Sequence, residues 1–267
     1  MKAQRVLITG AAGAIGSVVR HGIAGRYEHV RLMDINPIVN LRADESVLVA
    51  DLLDCDRLNE AVRGMDSIVH LAGVPREAEW EKILPNNIAG TYNLFEAARK
   101  AGVRRVLFAS SNHVIGFYRA DQDVNAIAPA RPDSRYGVSK VFGEALGRLY
   151  ADKHGMDVAC LRIGSFRKEP ENARQLTTWM SHGDMVRLVT SCLDAPKFHF
   201  AVLYGVSANT RRKWWDHAQR QLGYAPQDNA ETFATRLTQN APRSTGDLFH
   251  GGENCAQEFS GRVEDID

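Results

Sequence analysis

The sequence predicts an α/β fold in which a doubly wound, mostly parallel sheet of about seven strands carries helices on both faces. Three observations predict it. Short β-branched runs alternate with longer helical patterns over the first two hundred residues. The runs are continuously apolar rather than alternating, as suits strands buried on both sides. The first run also passes straight into a glycine-spaced turn that opens a helix, and strict β-α-β order implies right-handed crossovers.

Seven strands are expected in chain order: RVLIT (5–9), HVRLMD (29–34), VLVAD (47–51), SIVHLAG (67–73), RVLFAS (105–110), DVACLRIG (157–164) and FHFAVLYG (198–205). Between them, NNIAGTYNLFEAARKAG (86–102) and SRYGVSKVFGEALGRLYADKHG (134–155) read as long helices. After residue 206 the pattern loosens into two expected helices, 213–222 and 228–239, and a Gly-, Ser- and acid-rich tail, 240–267. Such a tail is either frayed or docked on a neighbouring element. The expectation is one domain over 1–267, with residues about 166–182 and 207–267 forming a small substrate-side region and C-terminal tail.

At 267 residues the chain is long enough to bury a real core, and 44% hydrophobic with 24% charged residues is the balance of a soluble globular protein. A net charge of +1 without a run of Lys or Arg removes the footprint of a nucleic-acid or anionic-membrane partner. Cys55, Cys160, Cys192 and Cys255 are far apart and fit no CxxC or Cys/His ligand spacing, so no metal site is expected. Nothing approaches eighteen consecutive apolar residues, and the N-terminal apolar run is too short for a signal peptide. The expected location is therefore the reducing cytoplasm.

The first strand leads into Thr9-Gly10-Ala11-Ala12-Gly13-Ala14-Ile15-Gly16. Glycines 10, 13 and 16 supply a tight turn and a backbone close enough to touch a pyrophosphate. The helix opening at Ala14 and Ile15 aims its N-terminus at the anion. A lone glycine triplet is weak evidence; its place after strand one and before a helix gives it weight. Asp34 ends the second strand, where a carboxylate can accept from both adenosine ribose hydroxyls and would repel a 2′-phosphate, favouring NAD over NADP. Its plainer reading is a turn residue before Asn36-Pro37, and the nearby Arg31 leaves the NADP question open. Asp51-Leu52 and Leu71-Ala72-Gly73 end the third and fourth strands and extend the same crevice.

Tyr136-Gly-Val-Ser-Lys140 opens the long helix, and residues four apart share a helix face. A phenol titrates near 10, and a neighbouring ammonium can lower that toward working pH. Tyr136 is thus a candidate general base, a role worth roughly 10²–10⁴ in rate. Lys140 is a candidate for the nicotinamide ribose. The alternative is a surface Tyr/Lys pair, since YxxxK arises by chance. The fifth strand, in turn, runs into SSNHVIG (110–116), more polarity than a turn requires.

Together TGAAGAIG, HLAG, NNIAGTYNLFEAA, SS and YGVSK resemble the extended short-chain dehydrogenase/reductase family, the NAD-dependent epimerases and dehydratases, over roughly residues 5–165. The resemblance implies a Rossmann-type fold with bound NAD. Ser111 takes the place of the family's catalytic serine, Tyr136 of the base and Lys140 of the lysine. Asn87 or Asn86 takes a backbone-supporting role. Asn36, Ile163 and Phe166 join Gly10, Gly13, Ala14, Ile15, Gly16, Asp34, Asp51, Leu52, Leu71, Ala72 and Gly73 at the cofactor.

Only about a hundred residues follow the sixth strand, which favours a small substrate over a nucleotide sugar. Within the family, SSNHVIG, RPDSRYGVSK, RIGSFRKEPENARQLTTWMSHGD and GVSAN...WWD resemble the members that oxidise D-galacturonate and D-glucuronate at C1 with NAD, giving the aldarolactone. A carboxylate remote from C1 needs a cation, and Arg167, Lys168 and Arg174 follow strand six; the resemblance assigns the clamp to Arg174. It places Ser111, Asn112, His113, Tyr136, Ser165 and position 75 at the sugar. In plainer terms Asn112 is a turn residue and His113 a satisfied loop histidine. Two departures stand out. Pro75 replaces a hydroxyl and offers only a carbonyl. Phe166 can reach the cofactor by backbone or ring alone. A nucleotide-sugar epimerase or dehydratase is the alternative reading, and a non-catalytic NAD-sensing module a third. The apolar parts of the long helices point to a homo-oligomer.

Overall fold

The computed structural model describes residues 5–237 and 245–266. Seven parallel strands form one sheet: β1 (Arg5–Thr9), β2 (His29–Asp34), β3 (Glu45–Val49), β4 (Ser67–His70), β5 (Arg105–Ser111), β6 (Asp157–Ile163) and β7 (Phe200–Gly205), in the spatial order β7-β6-β5-β4-β1-β2-β3. The order reverses between β1 and β4, whose carboxyl ends diverge into a crevice. Expected and observed strands agree within two residues at their starts; β3 begins at Glu45 and ends at Val49, because Glu45 is drawn inward by Arg20.

Burial on both faces explains the unbroken apolar runs. Val6 and Ile8 of β1 pack in one cluster with Val19 and Ile23 of the first helix region and Met185, Leu188 and Val189 of α5 (His182–Asp194). Leu7, between them, packs in the other cluster with Leu58 and Val62 of α2 (Cys55–Val62), Leu94 and Phe95 of α3 (Gly90–Lys100), and Leu146 and Tyr150 of α4 (Arg135–His154). α1 (Ala14–Gly22) shares the α5 side. α3 is entered through a wide turn, Leu84–Ala89, so the expected helix over 86–102 is two joined pieces.

The C-terminal third departs most from expectation. Residues 213–222 hold only a short helix, Ala218–Leu222; Trp214–Trp215 instead pair in parallel with Val124–Asn125. Residues 228–237 form a tight turn, Ala230–Phe233, and one helical turn, Ala234–Leu237; positions 238 and 239 lie outside the described residues. Residues 240–244 and 267, part of the expected tail, also lie outside them. Residues 245–266 are docked rather than frayed: His250 N bonds Tyr118 O at 2.9 Å and Gly251 N bonds Gly116 O at 2.9 Å. Among the described residues no helix is long and apolar enough to cross a membrane.

Candidate functional site

The glycine turn is set by contacts that exclude side chains. Gly10 has φ +70°, and a Cβ there would lie 2.7 Å from Ala72 N; a Cβ on Gly16 would lie 2.3 Å from Gly10 O. Gly13 caps α1 without a side-chain hydrogen bond, leaving Ala14 and Ile15 at an open N-terminus. Asp34 closes the crevice on the β2 side: Oδ2 accepts from Ala12 N at 2.9 Å and Oδ1 from Asn36 N at 2.9 Å. Asp34 therefore does the work of a turn residue, with its carboxylate at the end of β2.

Asp51 accepts from Leu53 N, and Leu52 is buried against Gly90. Leu71 N bonds Thr9 O, and Ala72 abuts Gly10. Gly73 has φ +136° and faces Asn87, whose Oδ1 accepts from Val74 N at 2.7 Å. Asn87 Nδ2 donates to Val74 O and to Ser139 Oγ, which donates in turn to Tyr136 O. Of the two candidate asparagines it is Asn87 that ties the cofactor crevice to the helix bearing Tyr136; Asn86 caps Lys82 O at the surface. A pyrophosphate-bearing dinucleotide fits this cradle.

Ser111, Tyr136 and Lys140 are brought together in a buried group. Ser111 ends β5, caps the turn Asn112–Ile115 by accepting from His113 N, and hydrogen-bonds the Tyr136 phenol. Lys140 Nζ lies 5.4 Å from the Tyr136 ring centre and 5.1 Å from that of Phe108. The expected depression of the phenol by the ammonium is not what the protein alone achieves. Burial pushes Tyr136 up to about 12, the Ser111 hydrogen bond opposes this, and the Asp133 carboxylate adds to it. Burial likewise pushes Lys140 down to about 8. Desolvation is the largest cause of both displacements. His70, behind them, is driven down to about 3 by burial and by Lys140, so it stays neutral.

On the other wall, Arg174 directs Nη2 to His250 O, while its buried Nε has no partner. A Cβ on Gly252 would lie 2.8 Å from that Nε, so glycine admits the guanidinium. Asn112 is buried and its Nδ2 is likewise unpaired. His113 Nδ1 meets Asp133 Oδ2 at 2.7 Å, and its ring lies edge-on to Tyr136 at 5.7 Å. Ser165 Oγ pairs with Thr178 Oγ1 at 2.8 Å. Phe166 stacks on His182 at 4.6 Å, giving the ring a fixed place, and Ile163 is buried at the end of β6. Pro75 is exposed at the loop rim, with no contact that assigns it a role. Arg167 turns outward to Glu171 and Lys168 is exposed, whereas Arg174 is half-buried.

Three residues escaped sequence reading. Glu77 accepts from Tyr136 N at 2.8 Å and from Arg135, pinning the start of α4. Asp133 and Asn254 both approach His113. No spacing rule joins these positions; only the Asp133-Ser134 pair before an expected helix is a detectable signal, of capping chemistry.

Residues 6–196 match the NAD dependent epimerase/dehydratase family. The chain is 46% identical over 240 residues to uronate dehydrogenase of Agrobacterium fabrum, covering 90% of each. It is 44% identical over 253 residues to uronate dehydrogenase of Pseudomonas putida, covering 93% of this chain and 94% of the relative. A crystal structure of uronate dehydrogenase from Agrobacterium tumefaciens, a tyrosine-to-alanine mutant complexed with NAD, superposes with a TM-score of 0.91 at 43% identity, covering 95% of this chain and 97% of that one.

Proposed function

The chain belongs to the NAD dependent epimerase/dehydratase family, and from that premise we propose that it is an NAD-dependent uronate dehydrogenase, oxidising D-galacturonate or D-glucuronate at C1 to the aldarolactone. The observation that carries this reading is the half-buried Arg174 guanidinium with a buried, unpartnered Nε, linked to Tyr136 through Asp133 and His113. An Arg fork suits a carboxylate, and each charge-assisted bond is worth roughly 1.5–3 kcal/mol.

Bound NAD supplies the acceptor for the hydride leaving C1. Ser111 holds the C1 oxygen by a hydrogen bond, and Tyr136, as phenolate, takes the C1 hydroxyl proton. Lys140 offers its ammonium to the nicotinamide ribose and to the developing charge. Asn112, His113 and Ser165 meet sugar hydroxyls, and Arg174 holds the uronate carboxylate. Gly10, Gly13, Ala14, Ile15 and Gly16 receive the pyrophosphate, and Asp34 the adenosine ribose. Pro75 and Phe166 contribute backbone and ring contacts only.

In this proposal residues 1–267 form one cytoplasmic domain. Exposed Tyr92 on α3 and Val138 and Leu149 on α4 support self-association through those helices.

The test is NADH absorbance on mixing purified protein with NAD⁺ and each uronate, with galactose and glucose as controls. NADH is expected from the uronates and at least about a hundredfold less from the neutral sugars, as for two lost charge-assisted bonds. No NADH from either uronate overturns the reading. Protein that retains NAD and converts a nucleotide sugar without net NADH establishes the epimerase alternative.

A further inference from the structure

We propose that Asp133 is a positioning residue for sugar recognition: its carboxylate holds His113 with the proton on Nδ1, so that Nε2 is presented as a hydrogen-bond acceptor to a substrate hydroxyl. The inference rests on the uronate reading of the same site.

Asp133 lies in the loop before α4, and its side chain is fully buried. Its lodging is made by two glycines from distant segments. A Cβ on either Gly116 or Gly251 would fall 1.9 Å from Asp133 Oδ2, and the two are joined by Gly251 N donating to Gly116 O at 2.9 Å. Ser134 Oγ donates to Oδ1 at 2.6 Å, and Cys255 Sγ approaches Oδ2 at 3.9 Å. A carboxylate removed from water this fully is costly unless charge-assisted bonds meet it. The imidazole supplies the short one, Nδ1 to Oδ2 at 2.7 Å.

Two groups compete for Nδ1. The Asn254 amide nitrogen approaches at 3.3 Å and could only donate, which requires a bare Nδ1. The carboxylate at 2.7 Å can only accept, which requires Nδ1–H. The shorter, charge-assisted contact decides the tautomer. Nε2 then carries the lone pair and makes no hydrogen bond among the described residues, while the side chain is 21% exposed and its ring stands edge-on to Tyr136. Its neighbour Asn112 offers an unpartnered Nδ2 donor. The turn at 112–113 therefore presents one donor and one acceptor to a sugar, a pattern that a hydroxyl can satisfy from both sides. The Gly251 contact belongs to the segment that also carries His250 O, the acceptor of Arg174.

Two measurements test this. In uniformly ¹⁵N-labelled wild-type protein, the His113 ring, identified by its loss in H113A, is expected to show a protonated Nδ1 and a bare Nε2. The opposite tautomer overturns the proposal, and this reading needs no variant of Asp133 to fold. Steady-state kinetics of D133A, H113A and the double variant form the second. D133A is expected to raise the uronate KM about tenfold, the loss of one hydrogen bond, with the NAD KM within twofold. In the H113A background D133A is expected to add less than twofold, because it acts through the ring. Multiplying effects, or an unchanged uronate KM in D133A, overturn the proposal. Failure of wild-type protein to reduce NAD⁺ with any uronate refutes the function reading instead, and leaves the tautomer result standing on its own.

Discussion

Replacing Lys140 by Met removes a buried ammonium and keeps a side chain of similar length. Lys140 is buried, and the folded protein holds its pKa at about 8 against an ordinary 10.5. Each pH unit of that displacement is worth about 1.4 kcal/mol, so the ammonium costs the folded state about 3 kcal/mol wherever both states are protonated. The folded value is the lower one, so between about 8 and 10.5 the unfolded chain binds the extra proton. Stability therefore rises with pH through that window: the penalty is full below about 8 and gone above 10.5. K140M lacks the penalty at every pH. Urea unfolding at pH 7 is expected to show K140M more stable than wild type by about 3 kcal/mol, and the gap is expected to close most of the way by pH 10. His70, which burial and Lys140 lower, is neutral throughout pH 7–10, so it adds nothing to the gap in that window. NADH formation by K140M should fall at least about a hundredfold, a stabilised and disabled protein. A variant no more stable than wild type at pH 7, or a gap independent of pH, would refute the assignment of the lowered value to burial.

Other substitutions address the remaining parts of the site. Tyr136→Phe should lower kcat by roughly 10²–10⁴ while NAD binding, followed by fluorescence titration, stays within threefold; near-normal turnover would exclude the phenol as base. Arg174→Ala should raise the uronate KM about a hundredfold and erase discrimination against neutral sugars in competition assays, whereas Arg174→Lys, lacking the fork, should recover only part of it. Gly16→Ala forces a Cβ to 2.3 Å from Gly10 O, so isothermal titration should detect no NAD binding.

The sheet was readable because a parallel strand buried on both faces has no alternation to confuse, as Val6, Leu7 and Ile8 show in contributing to two cores at once. The glycine turn and the Tyr136–Lys140 pair were readable for a similar reason: their chemistry is local, spelled out within eight residues. Trp214 was misread as helical because its placement is decided at a distance. It stacks on Tyr204 at 5.5 Å and donates Nε1 to His250 at 3.1 Å, and those contacts override local pattern. Glu77 and Asp133 were invisible on the same ground. Glu77 caps a helix that begins fifty-eight residues later, and Asp133 sits in a slot closed by Gly251, 118 residues on. The direction of the Tyr136 pKa was also illegible, because desolvation belongs to the whole surrounding wall and not to a pair of side chains.

In the proposed function, specificity comes from the donors that this wall leaves unmet. Among the described residues Arg174 Nε and Asn112 Nδ2 are buried donors without acceptors, and Lys140 is a buried cation that makes no ion pair. An unsatisfied buried donor costs about 1–3 kcal/mol, more when charged. A ligand that brings a carboxylate to Arg174 and hydroxyls to Asn112 and His113 removes these costs, whereas a neutral sugar leaves the guanidinium unmet. Rejection of the neutral sugar then follows from the protein's own buried group, the arrangement that discriminates most strongly against an analogue lacking one polar substituent. The same reasoning sets the order of importance on the wall. Arg174, charged and with the most to gain, should dominate the choice of substrate class, while the neutral Asn112 and the Asp133-held His113 should govern the finer choice among sugars of that class.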